Sequence, residues 1–218
     1  MCNIIPVVNN KGGCGKTTTT ICLANQLQIY EFDVLVVDTD SQCNTTTFYG
    51  AKTYDTYTMM DIMCADVNAN LCIQRTSVGD IIPSDKCLKN VDIKILDDSN
   101  RLLHLKRSMA NINKYDYVII DTKGQLPAER LKELDLDALF ISVVTTDAIA
   151  IKNTGLLNSE LGRFGIKPRL IINRFKRTVA NGNLVNIDDI IDSSKARLIG
   201  IVPEDSLIVK YSRKPIVF

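Results

Sequence analysis

Continuous apolar runs alternate along this chain with segments whose apolar residues recur every three or four positions. Val34-Leu35-Val36-Val37 and Tyr117-Val118-Ile119-Ile120 show no polar alternation, as strands buried on both faces do. Runs of this kind predict strands near residues 3–9, 33–38, 79–83, 91–96, 115–121, 138–145, 167–173 and 197–202. Helical spacing, as in Ile21, Leu23, Ala24, Leu27 and Ile29, predicts helices near 16–30, 56–65, 98–113, 127–135, 148–164, 186–194 and 204–211. The Asp97–Ser99 cluster and Asp147 suit N-caps. Alternating strands and helices imply an α/β fold: a doubly wound, mostly parallel sheet between two layers of helices, in one domain over residues 1–218. Residues 41–80 are polar and turn-rich, and are expected to be the least regular, partly mobile part. Pro6 falls in a strand expected to be central, where it removes a ladder donor and implies a local bulge.

Between the first strand and the first helix the chain reads Asn9-Asn10-Lys11-Gly12-Gly13-Cys14-Gly15-Lys16-Thr17-Thr18. It fits G-x-x-x-x-G-K-[ST] loosely, because its glycines are placed differently, but it ends in Gly15-Lys16-Thr17 as a phosphate-binding loop does. Glycines let successive backbone N–H groups turn inward, and the helix start adds unpaired donors and the positive end of the dipole. Gly12, Gly13, Cys14, Gly15, Lys16, Thr17 and Thr18 are therefore expected to bind a nucleotide. Lys16 would reach the β- and γ-phosphates, and the Thr17 hydroxyl would bind Mg²⁺.

An ordinary phosphate loop has no need of the cation at Lys11. Lys11-Gly12-Gly13-Cys14-Gly15-Lys16-Thr17-Thr18 resembles the deviant loop, K-G-G-x-G-K-[ST]-T, of the ParA/MinD partitioning and division-site ATPases. Three further stretches agree, so the resemblance runs over nearly the whole chain. Val34 to Asn44, with Asp38-Thr39-Asp40-Ser41-Gln42-Cys43-Asn44, is similar to the family's D-x-D-P-Q-x-N motif. Tyr115 to Thr122 is similar to its Walker B strand. Leu170 to Arg174 and Gly200 to Asp205 resemble the region that holds adenine, which points to Asn173 and Pro203. The resemblance implies a P-loop NTPase fold, slow ATP hydrolysis stimulated by a partner protein, and an ATP-dependent homodimer in which Lys11 crosses to the other subunit's nucleotide.

Polar side chains at the carboxyl ends of buried parallel strands face the ligand crevice, and Asp38, Asp40 and Asp121 stand there. Mg²⁺ keeps several waters and takes few protein oxygens. Thr17 is therefore the expected direct ligand, with Asp121 and Asp38 on metal-bound waters. The resemblance implies that Asp40 orients the attacking water. Phosphoryl transfer is mostly positioning and charge stabilisation, which Lys11 and Lys16 suit. Two residues depart from the family pattern. Ser41 replaces a proline, and Lys123 stands where proline or alanine is usual, placing a charge in the segment expected to sense the γ-phosphate.

The 218 residues carry a net charge of +1, so the chain as a whole has no pull toward polyanions. No apolar run approaches the ~18 residues of a membrane helix, and Met1-Cys2-Asn3 does not open a signal peptide, which implies a cytoplasmic protein. The seven cysteines all precede residue 88, form no C-x-x-C pair and are odd in number. They read as reduced thiols rather than as disulfides or a zinc site. Lone His104 lacks metal-ligand neighbours and reads as an ordinary helix residue. Cys14 lies inside the loop, so its alkylation is expected to block nucleotide binding and ATP to slow the alkylation.

From Leu161 to Ile187 there is no acidic residue, while Arg163, Lys167, Arg169, Arg174, Lys176 and Arg177 all occur. Clustered cations of this kind either solubilise a surface or bind duplex DNA through its phosphates. The second motif resembles DNA-partitioning ParA proteins, which makes plasmid or chromosome partitioning through non-specific DNA binding, with nucleoid association, the favoured reading. The segment from Asn173 to Asp205 looks closer to MinD, whose relatives end in a basic amphipathic membrane helix for which no room remains before Phe218. The alternatives are a MinD-like division-site ATPase and a nucleotide-bound recruitment switch with little turnover.

Overall fold

The computed structural model describes residues 2–90, 104–110, 112–124, 138–176, 179–180, 183–184 and 186–205. Its strands are β1 (Asn3–Val8), β2 (Val34–Asp38), β3 (Gln74–Arg75), β4 (Asp80–Ile82), β5 (Tyr117–Asp121), β6 (Ile141–Thr145), β7 (Arg169–Phe175), β8 (Val179–Ala180), β9 (Asn183–Leu184) and β10 (Arg197–Pro203). Its α-helices are α1 (Lys16–Ile29), α2 (Asn44–Tyr49), α3 (Met59–Ala65), α4 (Ala69–Cys72), α5 (His104–Met109), α6 (Ala148–Arg163) and α7 (Ile187–Ser194). The strand expected at 91–96, the helices at 127–135 and beyond 205, and the start of the helix at 98–113 lie outside the described residues.

Among the described residues eight strands form one sheet in the order β10-β7-β6-β1-β5-β2-β4-β3. Every neighbouring pair is parallel except β3 with β4, as the doubly wound reading predicts. Successive side chains of a strand point to opposite faces, and the core divides accordingly. Ile5, Val7, Val34, Val36, Ile119 and Val143 meet Ala24 and Leu27 of α1 on one face. Val8, Leu35, Val37, Val118 and Ile120 meet α3 and α6 through Met59, Ile62, Leu157 and Leu161 on the other. Ile29, counted in the apolar stripe of α1, is exposed.

Pro6 forms no bulge: β1 pairs with β5 without a break from Asn3 opposite Tyr117 to Val7 opposite Asp121. On its other side β1 pairs with β6 only from Val7 onward. Ile4, which shares the direction of Pro6 along the pleat, turns its carbonyl to the Leu139 N–H on that side. The missing donor of Pro6 thus faces the place where β6 has not yet begun, so no ladder bond is lost.

Residues 41–80 hold three short helices and two short strands, and they bury Thr45, Thr46, Tyr49, Met59, Ile62 and Cys72. A capping box closes α3, with Thr58 bonded to the first-turn backbone and Asp61 to the Thr58 N–H. Helix α2 escaped the sequence pattern because three successive threonines disguise it. It starts from Cys43 at φ +55 without a side-chain cap.

Candidate functional site

The carboxyl ends of β1, β5 and β2 lie side by side, with Val7 opposite Asp121 and Asp38 opposite Asp121. The loop after β1 therefore opens directly above the two buried carboxyl groups. Gly13 and Gly15 take φ of +74 and +100, conformations that L side chains rarely adopt. Helix α1 has no side-chain cap and no acidic residue in its first turn. Its hydrogen-bond ladder starts with Thr19 N–H to the Gly15 carbonyl at 2.8 Å, leaving the amides before it as orphan donors for an anion.

The loop is held from outside. Buried Asn9 accepts the Lys11 N–H at 2.8 Å, and its amide group donates to the Val143 carbonyl and the Thr154 hydroxyl. Asn173 donates from Nδ2 to the Cys14 carbonyl at 2.9 Å. The Cys14 thiol is buried and turned to the Lys11 carbonyl, and burial pushes its pKa up against the pull of Lys16. That burial makes Cys14 a slow target for alkylation.

A cavity of about 460 Å³ opens over the loop, lined by Gly12, Gly13, Gly15, Lys16, Thr17 and Thr18 on one side. Asp40 with its neighbours, Lys123, Gly124 and Arg174 line the remainder. Lys16 is almost wholly buried and donates from Nζ to the Lys11 carbonyl at 3.2 Å. Thr17 and Thr45 both donate their hydroxyls to Asp121 Oδ2, at 2.7 and 2.6 Å. Asp121 Oδ1 is buried without a hydrogen-bond partner among the described residues. Burial pushes the Asp121 carboxyl pKa up, against these two hydroxyls and Lys16. An unpartnered acceptor beside a threonine hydroxyl fits a hydrated cation. Among the described residues no three His, Cys, Asp or Glu side chains cluster into a metal cage of their own.

Asp38 is wholly buried, and both of its oxygens have partners: Oδ2 takes the Thr46 N–H and hydroxyl, and Oδ1 takes the Asp40 N–H. Burial raises it to about 6, with the neighbouring Asp121 charge adding to the rise. Asp38, expected on a metal-bound water, anchors α2 and aims the chain at Asp40. The Asp40 backbone is fixed by that bond, and its carboxylate caps the Gln42 N–H at 3.0 Å while facing the cavity.

Lys11 points away from the cavity to Asp147, Nζ to Oδ1 at 2.5 Å, with both side chains partly exposed. Asp147 also accepts from Thr145 and from the Ala150 N–H as the N-cap of α6. Burial would raise this carboxyl, but the bonds from Lys11, Thr145 and Ala150 outweigh it and hold it at about 2.

The adenine-side expectations divide. Asn173 buttresses the loop, and Pro203, on the exposed edge strand opposite Phe175, does not line the cavity. Where β7 pairs with β10 the register slips between Ile172 and Phe175, leaving one extra residue on β7. Arg174 takes φ +53 in that bulge and turns into the cavity. The basic stretch likewise does not form one patch. Arg174 lines the cavity and Lys176 pairs with Glu204, while Arg177 lies outside the described residues. Arg163, Lys167 and Arg169 lie at the far end of the sheet, where Arg169 and Arg197 stand opposite each other as the first residues of β7 and β10. Lys167, Arg169, Lys195 and Arg197 ring a hollow of about 430 Å³ there.

Sequence reading overlooked Thr45, Thr46 and Asn9, and named Asp147 only as a cap. Buried hydroxyls and amides have no period, and only their chain-distant partners reveal them.

Known proteins resemble this chain in sequence and in fold. A family model described as an AAA domain matches residues 2–165. The sporulation initiation inhibitor protein Soj of Bacillus subtilis is 36% identical over 130 residues, which cover 58% of this chain and 51% of Soj. The chain thus spans about half the length of that relative. The septum site-determining protein MinD of Helicobacter pylori is 27% identical over 98% of this chain and 82% of its own. A plasmid partition protein of Borrelia burgdorferi B31, solved bound to AMPPNP, superposes with a TM-score of 0.80 at 26% identity, covering 96% and 88% of the two chains. The MinD protein of Pyrococcus horikoshii OT3 complexed with Mg-ADP superposes at 0.76, with 26% identity, over 96% and 84%.

Proposed function

Since this chain belongs to the ParA/MinD family of P-loop ATPases, we propose that it binds and slowly hydrolyses ATP as a homodimerising switch in DNA partitioning. The observation that carries this reading is the convergence on one cavity of the orphan amides of α1, Lys16, Asp40 and Thr17, whose hydroxyl is bonded to the buried Asp121. The nucleotides held by the Borrelia and Pyrococcus relatives support ATP and Mg²⁺ as its ligands.

Bound Mg²⁺ would neutralise charge on the terminal phosphates. The Thr17 hydroxyl is the residue that would hold it, with Asp121 accepting from its water shell. The glycine-loop amides and Lys16 bind the β-phosphate and stabilise charge developing on the transferred group. Asp40, fixed by Asp38 at the cavity wall, orients the attacking water and accepts its hydrogen bond. Lys11 leaves Asp147 when a second subunit presents its nucleotide, so the same lysine reports both dimerisation and ATP.

Duplex DNA is the proposed cargo surface's ligand, through Arg163, Lys167, Arg169, Lys195 and Arg197 at the end of the sheet away from the nucleotide. These cations make no ion pair with a described residue, and two subunits would double them. Light scattering after size exclusion, with and without ATP and Mg²⁺, on wild type and Lys11→Ala, tests the switch. Dimers that need both ATP and Lys11 support it, and ATP-independent monomers reject it. The dimer should then retain duplex DNA in a strongly salt-sensitive way, and Arg169→Ala with Arg197→Ala should remove that retention.

A MinD-like division-site role is the second reading, favoured by the MinD alignment running over nearly the whole chain, against little more than half of it for Soj. Retention of the ATP dimer by anionic vesicles instead of DNA would select it. Among the described residues no helix is long and apolar enough to cross a membrane.

A further inference from the structure

We propose that Lys123 is a terminal-phosphate contact, supplied by the same chain that holds the nucleotide, which distinguishes a nucleoside triphosphate from a diphosphate. The proposal rests on the nucleotide reading of the cavity and adds the group that senses its outermost charge.

Three observations place Lys123 there. It lines the same 460 Å³ cavity as the glycine loop and Asp40. The chain just before it is pinned, because the Thr122 hydroxyl donates to the Val7 carbonyl at 2.7 Å and Asp121 is fixed by Thr17 and Thr45. Just after it, a side-chain carbon built on Gly124 would lie 3.7 Å from the Lys16 ammonium. Residues 123–124 therefore sit beside the Lys16 ammonium, the group that reaches the β- and γ-phosphates in a phosphate loop. A cation held beside it is placed for the outer end of the phosphate chain.

Charge balance points the same way. The cavity lining holds Lys16, Lys123 and Arg174 against one carboxylate, Asp40. Lys123 is half-buried and makes no ion pair with any described residue. A solvated surface lysine would gain nothing from facing two like charges, whereas a polyanion resolves all three. Lys123 acts in cis, so its contribution does not wait for the dimer, unlike that of Lys11.

The experiment is isothermal titration of Mg-AMPPNP and of Mg-ADP into the full chain carrying Lys11→Ala, which removes dimerisation from the measured affinity. Adding Lys123→Ala should weaken Mg-AMPPNP by about tenfold, the scale of one partly screened charge a few ångströms away. Mg-ADP should weaken by less than about threefold, and Lys123→Arg should restore most of the triphosphate affinity. Equal losses for both nucleotides, or no loss for either, overturn the proposal and leave the nucleotide site standing. Failure of the wild-type chain to bind either nucleotide, with its fold intact by circular dichroism, overturns the nucleotide reading and Lys123 with it.

Discussion

Gly15→Ala tests whether the loop is held by geometry rather than by composition. At φ +100 an L residue gives up about 1–2 kcal/mol relative to its preferred conformations. The new methyl would also overlap the Asn173 amide nitrogen, with the amide carbon at 3.3 Å. Asn173 must then swing away and break its 2.9 Å bond to the Cys14 carbonyl, worth about 1 kcal/mol net and more if that carbonyl stays buried without a partner. The two effects together cost about 3 kcal/mol, or about 6–12 °C in Tm for a chain of this size. In an Asn173→Ala background the collision is gone and only the backbone strain remains. The double variant should therefore be more stable than additivity allows, with a coupling of about 1–2 kcal/mol. Urea and thermal unfolding of the four proteins, followed by circular dichroism, measure it. Additive losses, or a Gly15→Ala loss below about 1 kcal/mol, would refute the claim that Asn173 braces the glycine turn.

Asp38 should make stability fall as pH rises. Its folded carboxyl lies at about 6, above the ordinary 3.8, so its favourable contribution is complete below pH 4 and lost by the time the pH has passed 6. The loss is about 3 kcal/mol at most, and the stability of Asp38→Asn measured by denaturant titration at pH 4 and 7 should lack most of it. Maleimide labelling of the native chain should reach the exposed Cys22, Cys64 and Cys87 well before the buried Cys14, as peptide mass mapping would read; early modification of Cys14 would contradict its burial. Asp147→Ala should cost about 1 kcal/mol through the lost cap of α6. It should also let the ATP dimer form at up to about thirtyfold lower protein concentration, because each subunit's partly exposed ion pair holds Lys11 by no more than about 1 kcal/mol and the dimer breaks two of them. Light scattering against concentration checks that shift.

The strands and long helices of this fold were legible because burial on both sheet faces leaves an unbroken apolar run, and a two-sided core needs such runs. What escaped depended on partners far away in sequence. The end of β7 read as a plain strand, yet a single extra residue there sends Asn173 to the loop and Arg174 to the cavity. The six cations between Arg163 and Arg177 looked like one patch. The strand they flank, however, runs the full depth of the sheet, so Arg169 and Arg174 emerge at opposite ends. Linear clustering becomes a surface only when the intervening chain does not cross the fold.

The three acidic residues show the same limit at closer range. Asp38 and Asp121 end neighbouring parallel strands, stand opposite each other and are both buried, so their sequence contexts invite one role for both. Two adjacent threonines of α2 separate them. Thr46 gives its hydroxyl and N–H to Asp38, and with the Asp40 amide it leaves neither oxygen of that carboxylate without a partner. Thr45 gives only a hydroxyl to Asp121, on the oxygen that Thr17 already uses, so the other oxygen keeps its full capacity. A buried acceptor without a partner costs about 1–3 kcal/mol, a cost removed when a hydrated cation arrives with the nucleotide. Asp38 can recover nothing comparable, because its bonds are already made. We therefore propose that Thr17 and Asp121 form the metal side of the site. Asp38 stabilises the turn that presents Asp40, through its bonds to the Asp40 amide and to Thr46.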